Sequence, residues 1–152
     1  MLLEFLTKET IQLAKFVNSW QDAIRLAADP LLRHNKIEAR YIEAMIHSIE
    51  EHGPYIVITP KVAIPHARPT DGVKESAISL LRLQEPVWFD TEKPVFIIFV
   101  LATTDNTAHL QALADLTQIL QNRERIDSII ACQHADAIMK IIQHFLEREQ
   151  SS

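Results

Sequence analysis

The stretch VFIIFVLA, from Val95 to Ala102, is a run of eight apolar residues without one polar position. It is far shorter than the ~20 residues that a membrane-spanning helix needs. Strands that are buried on both faces read as continuous apolar runs, because neither face meets water. The stretch therefore predicts a central strand in a sheet that is covered on both sides.

The sequence on either side of this strand predicts more strands in the middle of the chain and helices near both ends. Apolar and β-branched runs predict the other strands at residues 10–17, 55–59, 62–64 and 76–83. Apolar residues at helical spacing predict helices at residues 37–51, 107–121, 126–130 and 135–147. Ser19, followed by Asp22, indicates the start of another helix. We expect Asp29 and Pro30 to break that helix, because proline cannot donate its backbone hydrogen bond.

Strands in the middle with helices before and after them are typical of a layered α/β fold. A chain of 152 residues is also about the size of one domain. We therefore predict a single α/β domain over residues 1–152, with a core from about residue 10 to 147. Its mixed central β-sheet should be flanked on both faces by α-helices.

Composition excludes several classes of partner. The net charge is −5, with 15 basic and 20 acidic residues, and no basic run indicates binding to nucleic acid or anionic lipid. The N-terminus is charged by its fourth residue and lacks the pattern of a signal peptide. The single cysteine, Cys132, cannot form an internal disulfide. These features predict a cytoplasmic protein that does not insert into a membrane.

The most informative motif is VAIPHARP, from Val62 to Pro69, in which His66 follows a short apolar strand. Pro65 and Pro69 restrict the backbone on both sides of it to extended conformations. A loop at the edge of a sheet often carries a functional side chain. The spacing alone leaves a purely structural histidine equally open.

A second histidine, His109, lies at the start of a predicted helix, after the central strand and a polar loop. Unpaired N–H groups and the positive dipole end make a helix N-terminus a natural site for phosphate. If the loops after the two strands share one sheet edge, His66 and His109 can meet. Such a pair suits phosphoryl transfer, because a neutral imidazole is a nucleophile near pH 7. Arg68 could help to stabilise the charge of the group, and Thr59 is a weaker candidate.

Other chemistries fit the sequence less well. Only two glycines, Gly53 and Gly72, occur in the chain, so a nucleotide-binding glycine loop is excluded and no cofactor is expected. A hydrolase with a metal ion held by the two histidines and Asp71 or Asp105 stays open, although no ligand spacing specifies it; we expect no metal. The remaining histidines are predicted at the surface: His34, His47, His52, His134 and His144.

The chain resembles the enzyme IIA domains of the phosphoenolpyruvate-dependent sugar phosphotransferase system, in the mannitol/fructose superfamily. The motifs that carry the resemblance are VAIPHARPTDGV (62–73), YIEAMI (41–46) and HLQALADLTQIL (109–120). The resemblance implies that His66 is phosphorylated by the phosphocarrier HPr and passes the group to a cysteine of an enzyme IIB, which serves a membrane enzyme IIC. It also implies that His109 supports the phosphate, in a mixed sheet between helices.

Two departures from the mannitol-type pattern point to one branch of that superfamily. Ala67 stands where that pattern has glycine, and HSIEEH (47–52) stands where it has an arginine. Arg68 is the candidate replacement for this arginine. The stretch GPYIVITPKVAIPHARPTDGV (53–73) resembles the ascorbate-type enzymes IIA, which implies L-ascorbate as the transported substrate. A mannitol- or fructose-type specificity, and a regulatory module controlled by phosphorylation of His66, are the alternatives; the oligomeric state stays open.

Overall fold

The computed structural model describes residues 2–151, and the side chains of residues 2–147. Its strands are β1 (Ile11–Ala14), β2 (Val57–Thr59), β3 (Lys61–Ala63), β4 (Ala77–Trp88) and β5 (Pro94–Ala102). Its α-helices are α1 (Leu2–Phe5), α2 (Trp20–Arg33), α3 (Ala39–His52), α4 (Asn106–Leu120), α5 (Arg123–Ala131) and α6 (Ala135–Ser151). Among the residues described, no helix combines the length and apolar character needed to cross a membrane.

The strands form one mixed sheet in the order β1-β4-β5-β3-β2. β5 is antiparallel to β4 and parallel to β3, and β1 is parallel to β4. The predicted central position of the apolar stretch 95–102 is confirmed, because β5 is the third of five strands. Its side chains alternate between two buried clusters: Ile98 and Val100 face one, Phe99 and Leu101 the other.

Helices cover both faces of the sheet, as predicted. The first cluster packs against apolar residues of α2 and α3, and the second against α1, α4, α5 and α6. The second cluster includes Leu2 and Leu6, which are fully buried. Buried residues of the core thus begin at Leu2, before the expected start at about residue 10.

The expectation that Asp29 and Pro30 break the second helix is wrong. α2 begins after the N-cap Ser19, as predicted, but continues through Pro30 to Arg33. A proline leaves the carbonyl four residues earlier, here that of Leu26, without its helical partner. The Gln12 side chain donates a hydrogen bond of 2.7 Å to this carbonyl. An amide from the neighbouring strand thus replaces the bond that Pro30 removes.

Two other boundaries shift outward. β4 extends beyond the predicted end at Leu83 to Trp88, because residues 87–88 pair with the start of β5. The helix predicted at 126–130 begins earlier, after the N-cap Asn122, whose side chain accepts a hydrogen bond from the Arg125 N–H. Neither shift alters the order of the elements.

Candidate active site

The two histidines singled out by the sequence meet at one edge of the sheet. β3 and β5 are parallel neighbours, so the loops that follow them leave the sheet at the same edge. The ring centroids of His66 and His109 lie 5.1 Å apart. Topology therefore brings together two residues that are 43 positions apart in the chain.

His66 lies in the His66 loop, which we define as residues 64–72. The loop stays attached to β5, because the Leu101 N–H donates a 3.1 Å hydrogen bond to the Pro65 carbonyl. The Nδ1 atom of His66 lies 2.9 Å from the Ile64 carbonyl oxygen. Since a carbonyl only accepts, Nδ1 carries the proton of the neutral ring. The Nε2 atom therefore keeps a free lone pair.

Tyr41 on α3 fixes the loop directly after His66. Its hydroxyl accepts a 3.0 Å hydrogen bond from the Ala67 N–H and donates one of 2.7 Å to the Leu101 carbonyl. The side chain is fully buried, and this burial raises its pKa to about 12. The hydroxyl thus remains a donor at physiological pH. Helical spacing marked Tyr41 only as a core residue, and nothing in that pattern revealed the role of its hydroxyl.

The far end of the loop packs closely against the same helix. Gly72 has a φ of 133°, and a Cβ at this position would lie 3.2 Å from both the backbone N and the Cβ of Tyr41. The Gly72 carbonyl accepts a 2.8 Å hydrogen bond from the Glu38 N–H at the start of α3. A glycine is therefore needed here for both the backbone conformation and the close approach.

His109 lies in the first turn of α4, whose N-cap is Asp105. The Asp105 side chain accepts a 2.8 Å hydrogen bond from the Ala108 N–H. Partial burial lowers the pKa of His109, and the neighbouring His66 lowers it further. His109 is therefore predominantly neutral near pH 7 and can donate one hydrogen bond beside His66.

Arg68 lies at the exposed end of the site and is paired with Asp71. Its Nε and Nη2 atoms lie 3.3 and 3.4 Å from the two carboxylate oxygens, and its backbone N–H donates to the same carboxylate at 3.0 Å. Partial burial alone would raise the pKa of Asp71, but the bonds from Arg68 lower it below its usual value. The Arg68 side chain is 82% exposed, so the pair is accessible to solvent.

The cleft around His66 has a volume of about 520 Å³. Its wall opposite His109 is the α3 rim, which we define as residues 47–55. Glu51 contacts two histidines there, with Oε1 3.1 Å from His47 Nε2 and Oε2 3.8 Å from His52 Nε2. Both histidines are exposed, as predicted, yet both line the cleft. The family resemblance marks residues 47–52 as standing where the mannitol-type pattern has an arginine, but it assigns no role to either histidine.

Tyr55, at the end of the α3 rim, was also missed. Its ring centroid lies 6.2 Å from that of His66, with the two rings nearly perpendicular. Its hydroxyl forms a 2.8 Å hydrogen bond with Ser48. The sequence placed Tyr55 in a strand, whereas β2 begins at Val57, so that Tyr55 lies in the turn after α3 and faces the cleft.

The structure does not bring Thr59 to this site. Thr59 pairs with Val62 across the β2–β3 hairpin, at the opposite end of β3 from His66. It lines a separate cavity with Lys61 and Asp127. Thr59, the weaker candidate by sequence, is therefore a residue of β2, which runs away from the site.

The structure also shows the partners of the two aspartates that were considered as metal ligands of a hydrolase. Asp71 is paired with Arg68, and Asp105 caps α4. Across the part of the chain that the structure describes, no three His, Cys, Asp or Glu side chains are grouped so that they could hold a metal ion. The arrangement instead presents one nucleophilic nitrogen beside a neutral imidazole and a helix N-terminus, which suits a transferred anionic group.

Comparison with known proteins identifies relatives over nearly the whole chain. Residues 4–145 match a family model described as "Phosphoenolpyruvate-dependent sugar phosphotransferase system, EIIA 2". An ascorbate-specific phosphotransferase-system EIIA component from Salmonella paratyphi A is 33% identical over 136 residues, which are 88% of each chain.

Two solved structures extend this similarity to the fold. A mannitol-specific cryptic phosphotransferase enzyme IIA from Escherichia coli is 28% identical, with a TM-score of 0.87 over 94% of this chain and 98% of that one. The nitrogen regulatory protein IIA-Ntr from Neisseria meningitidis is also 28% identical, with a TM-score of 0.78 over 91% of this chain and 97% of that one.

Proposed function

Because the chain belongs to the EIIA 2 family of the phosphoenolpyruvate-dependent sugar phosphotransferase system, we propose that it carries a phosphoryl group on His66. The protein is an enzyme IIA, a phosphotransferase component of that system. In the proposed relay it accepts the group from the phosphohistidine of HPr and gives it to a cysteine of an enzyme IIB. Enzyme IIB serves a membrane enzyme IIC. The chain acts as a single cytoplasmic domain over residues 1–152 and uses no cofactor.

The orientation of the His66 ring is the observation that supports this role best. With Nδ1–H bonded to the Ile64 carbonyl, Nε2 is the nitrogen that can attack phosphorus. Its lone pair forms a new N–P bond while the N–P bond of phospho-HPr breaks, and the electron pair returns to the ring of HPr. In the second step the enzyme IIB thiolate forms an S–P bond, and the electron pair of the N–P bond returns to His66 Nε2.

The surroundings of His66 fit a phosphoryl group. The neutral His109 can donate one hydrogen bond to it, and the N-terminus of α4 adds a favourable dipole. Arg68 can turn from Asp71 toward the phosphate, because the pair is exposed and surface ion pairs contribute little free energy. His109 and Arg68 are therefore our proposed phosphate-stabilising residues, and Thr59 is not.

Exposed apolar side chains flank the histidines and suit docking of protein partners. Tyr55 is 47% exposed, and Leu110, next to His109, is 67% exposed. Large apolar side chains beside a polar reactive centre are typical of protein–protein interfaces. Both partners of the proposed relay must reach His66 in turn, so one surface would serve both.

Phosphorylation by purified components tests the proposal. Incubation with enzyme I, HPr and phosphoenolpyruvate should add the mass of one acid-labile phosphoryl group. His66→Ala should remove the signal, whereas His144→Ala, a matched change at an exposed histidine, should retain it. His109→Ala should slow the reaction. An unmodified wild-type protein, or full labelling of His66→Ala, would contradict the proposal.

The reacting nitrogen can be identified by NMR. In the phosphorylated protein with ¹⁵N-labelled histidine, ¹⁵N–³¹P coupling should appear at Nε2 of His66, while Nδ1 keeps its proton. Coupling at Nδ1 would show that the ring turns away from the Ile64 carbonyl before it reacts.

We further propose that the relay supports uptake of L-ascorbate. The Salmonella relative at 33% identity is named for ascorbate, and the family resemblance of residues 53–73 points the same way. Phosphoryl transfer to an ascorbate-type enzyme IIB should be much faster than transfer to a mannitol- or fructose-type enzyme IIB. Preferential transfer to a mannitol- or fructose-type acceptor would replace ascorbate with that substrate.

A regulatory role is the second candidate, favoured by the 28% identity to a nitrogen regulatory protein IIA. In that role the phosphorylation state of His66 controls binding of another protein. Rapid transfer to an enzyme IIB cysteine favours transport. Phosphorylation without transfer to any enzyme IIB, together with partner binding that depends on His66, favours regulation.

A further inference from the structure

The net charge of the residues that line the cleft is unfavourable for the phosphoryl group that we propose on His66. Three residues with permanent charges line it: Arg68 is positive, and Asp71 and Glu51 are negative. With all imidazoles neutral, the charge of this lining is therefore −1. A phosphoryl group carries about −1.5 to −2 at neutral pH, and the +1 of a His66 ring that keeps its Nδ1 proton offsets only part of this charge. The lining would thus repel the phosphoryl group unless it gains positive charge.

The other cleft residues leave few sources for that charge. The charge of Arg68 is already included in this sum, and Asp71 offsets it whether or not the guanidinium turns toward the phosphoryl group. Partial burial of His109 makes its protonation unfavourable. Tyr55 is bonded to Ser48 and has only a neutral hydroxyl to offer. The two histidines of the α3 rim are the remaining groups that can become cations.

The geometry of the α3 rim suits that role. The Glu51 carboxylate lies beside both imidazoles, with its oxygens 3.1 Å from His47 Nε2 and 3.8 Å from His52 Nε2. The His52 ring is 6.4 Å from the Tyr55 ring, which in turn is 6.2 Å from the His66 ring. With both imidazoles neutral the cluster has a charge of −1, and with both protonated it has a charge of +1. Two protons from solvent thus reverse its sign.

We propose that His47 and His52 take up protons from solvent when the phosphoryl group is on His66, and so supply the positive charge that the cleft lacks. The inference rests on the proposed function of His66 as the phosphoryl carrier. Phosphorylation would then be linked to proton uptake, and the phosphorylated form would be favoured more strongly at pH 6.5 than at pH 8. Both side chains are exposed, at 70% for His47 and 66% for His52, so solvent screens their coupling to His66 and keeps it modest.

The coupling can be measured without phosphorylating the protein. His66→Glu and His66→Gln have nearly the same shape and differ by one negative charge at the position of the phosphoryl group. NMR titration of the histidine rings should give midpoints for His47 and His52 that are higher by at least about 0.3 pH unit in the Glu variant. The midpoints of His134 and His144 should agree in the two variants. If either variant fails to fold, His66→Asp and His66→Asn replace the pair.

Equal midpoints for His47 and His52 in the charged and neutral variants would overturn the inference. So would a shift of the same size at His134 and His144, because it would reflect the whole molecule rather than the cleft.

A second measurement uses the phosphorylation reaction itself. At equilibrium with phospho-HPr, the phosphorylated fraction of His47→Gln/His52→Gln should depend less on pH than that of the wild-type protein, with a deficit of severalfold at pH 6.5 that shrinks at pH 8. Identical pH dependence in the two proteins would overturn the inference while leaving the proposed function intact. Failure of the wild-type protein to become phosphorylated would defeat the proposed function, and the inference would fall with it.

Discussion

The His66 loop and the α3 rim line one cleft, but they are held in different ways. The loop is fixed by bonds to partly buried or buried groups: Pro65 to β5, the His66 ring to the Ile64 carbonyl at the start of the loop, and Ala67 to the hydroxyl of Tyr41. The rim is held by exposed contacts of Glu51 with two histidines. The position of the reacting nitrogen is thus fixed, whereas the charge opposite it can change.

Tyr41, which is buried beneath the His66 loop, and Tyr55, on the α3 rim, should show this difference most clearly. Tyr41→Phe leaves the Ala67 N–H and the Leu101 carbonyl without their partner and should lower the free energy of unfolding by about 2–3 kcal/mol. Tyr55→Phe removes an exposed bond to Ser48 and should cost less than about 0.5 kcal/mol. Urea unfolding at pH 7 gives both values.

Equal losses for the two tyrosine variants would show that the loop is no more firmly held than the rim. Tyr41→Phe should also slow phosphorylation of His66, since the residue after the nucleophile loses its anchor. Normal phosphorylation in a destabilised Tyr41→Phe protein would limit the role of this hydroxyl to stability.

The sequence predicts the meeting of the two histidines on the condition that their loops share one edge of the sheet, but it does not predict the supporting contacts. Apolar runs located β3 and β5, and parallel neighbours always end at the same edge of a sheet. Tyr41 and Gly72 act through contacts between distant segments, which local patterns do not encode. The same holds for Gln12, whose bond to the Leu26 carbonyl lets α2 pass through Pro30.

The errors at the site have equally specific causes. Thr59, the weaker candidate, ends β2, and a run of β-branched residues does not reveal in which direction its strand crosses the sheet. His47 and His52 are surface histidines by sequence pattern, and the resemblance marks their segment only as the place of a missing arginine. The packing of α3 beside the His66 loop makes them part of the cleft.

Variants of the two glycines should differ in their free energy of unfolding by a smaller amount than the two tyrosine variants. Gly72 and Gly53 both have positive φ, at 133° and 83°, so alanine should cost each about 1–2 kcal/mol in backbone strain. Gly72→Ala should cost about 1 kcal/mol more, because its Cβ would press against Tyr41, whereas Gly53 has open space around it. Denaturant unfolding of both variants measures the difference. If Gly53→Ala lowers the free energy of unfolding more than Gly72→Ala does, the His66 loop can move against α3 to make room for the added Cβ.

The smallest effect concerns the pH dependence of stability through His109. Burial and the neighbouring His66 lower the pKa of His109 in the folded protein, so the unfolded chain binds its proton more readily. Protonation of His109 therefore lowers the free energy of unfolding as the pH falls below 6.5, the pKa of this histidine in the unfolded chain. This loss is complete once the pH is below the lower pKa of the folded protein. His109→Gln should show a smaller drop in the free energy of unfolding between pH 7.5 and pH 5.5 than the wild-type protein. If the free energy of unfolding drops by the same amount in both proteins over this range, His109 is protonated as easily in the cleft as in the unfolded chain. It could then serve as a cation for the phosphoryl group alongside His47 and His52.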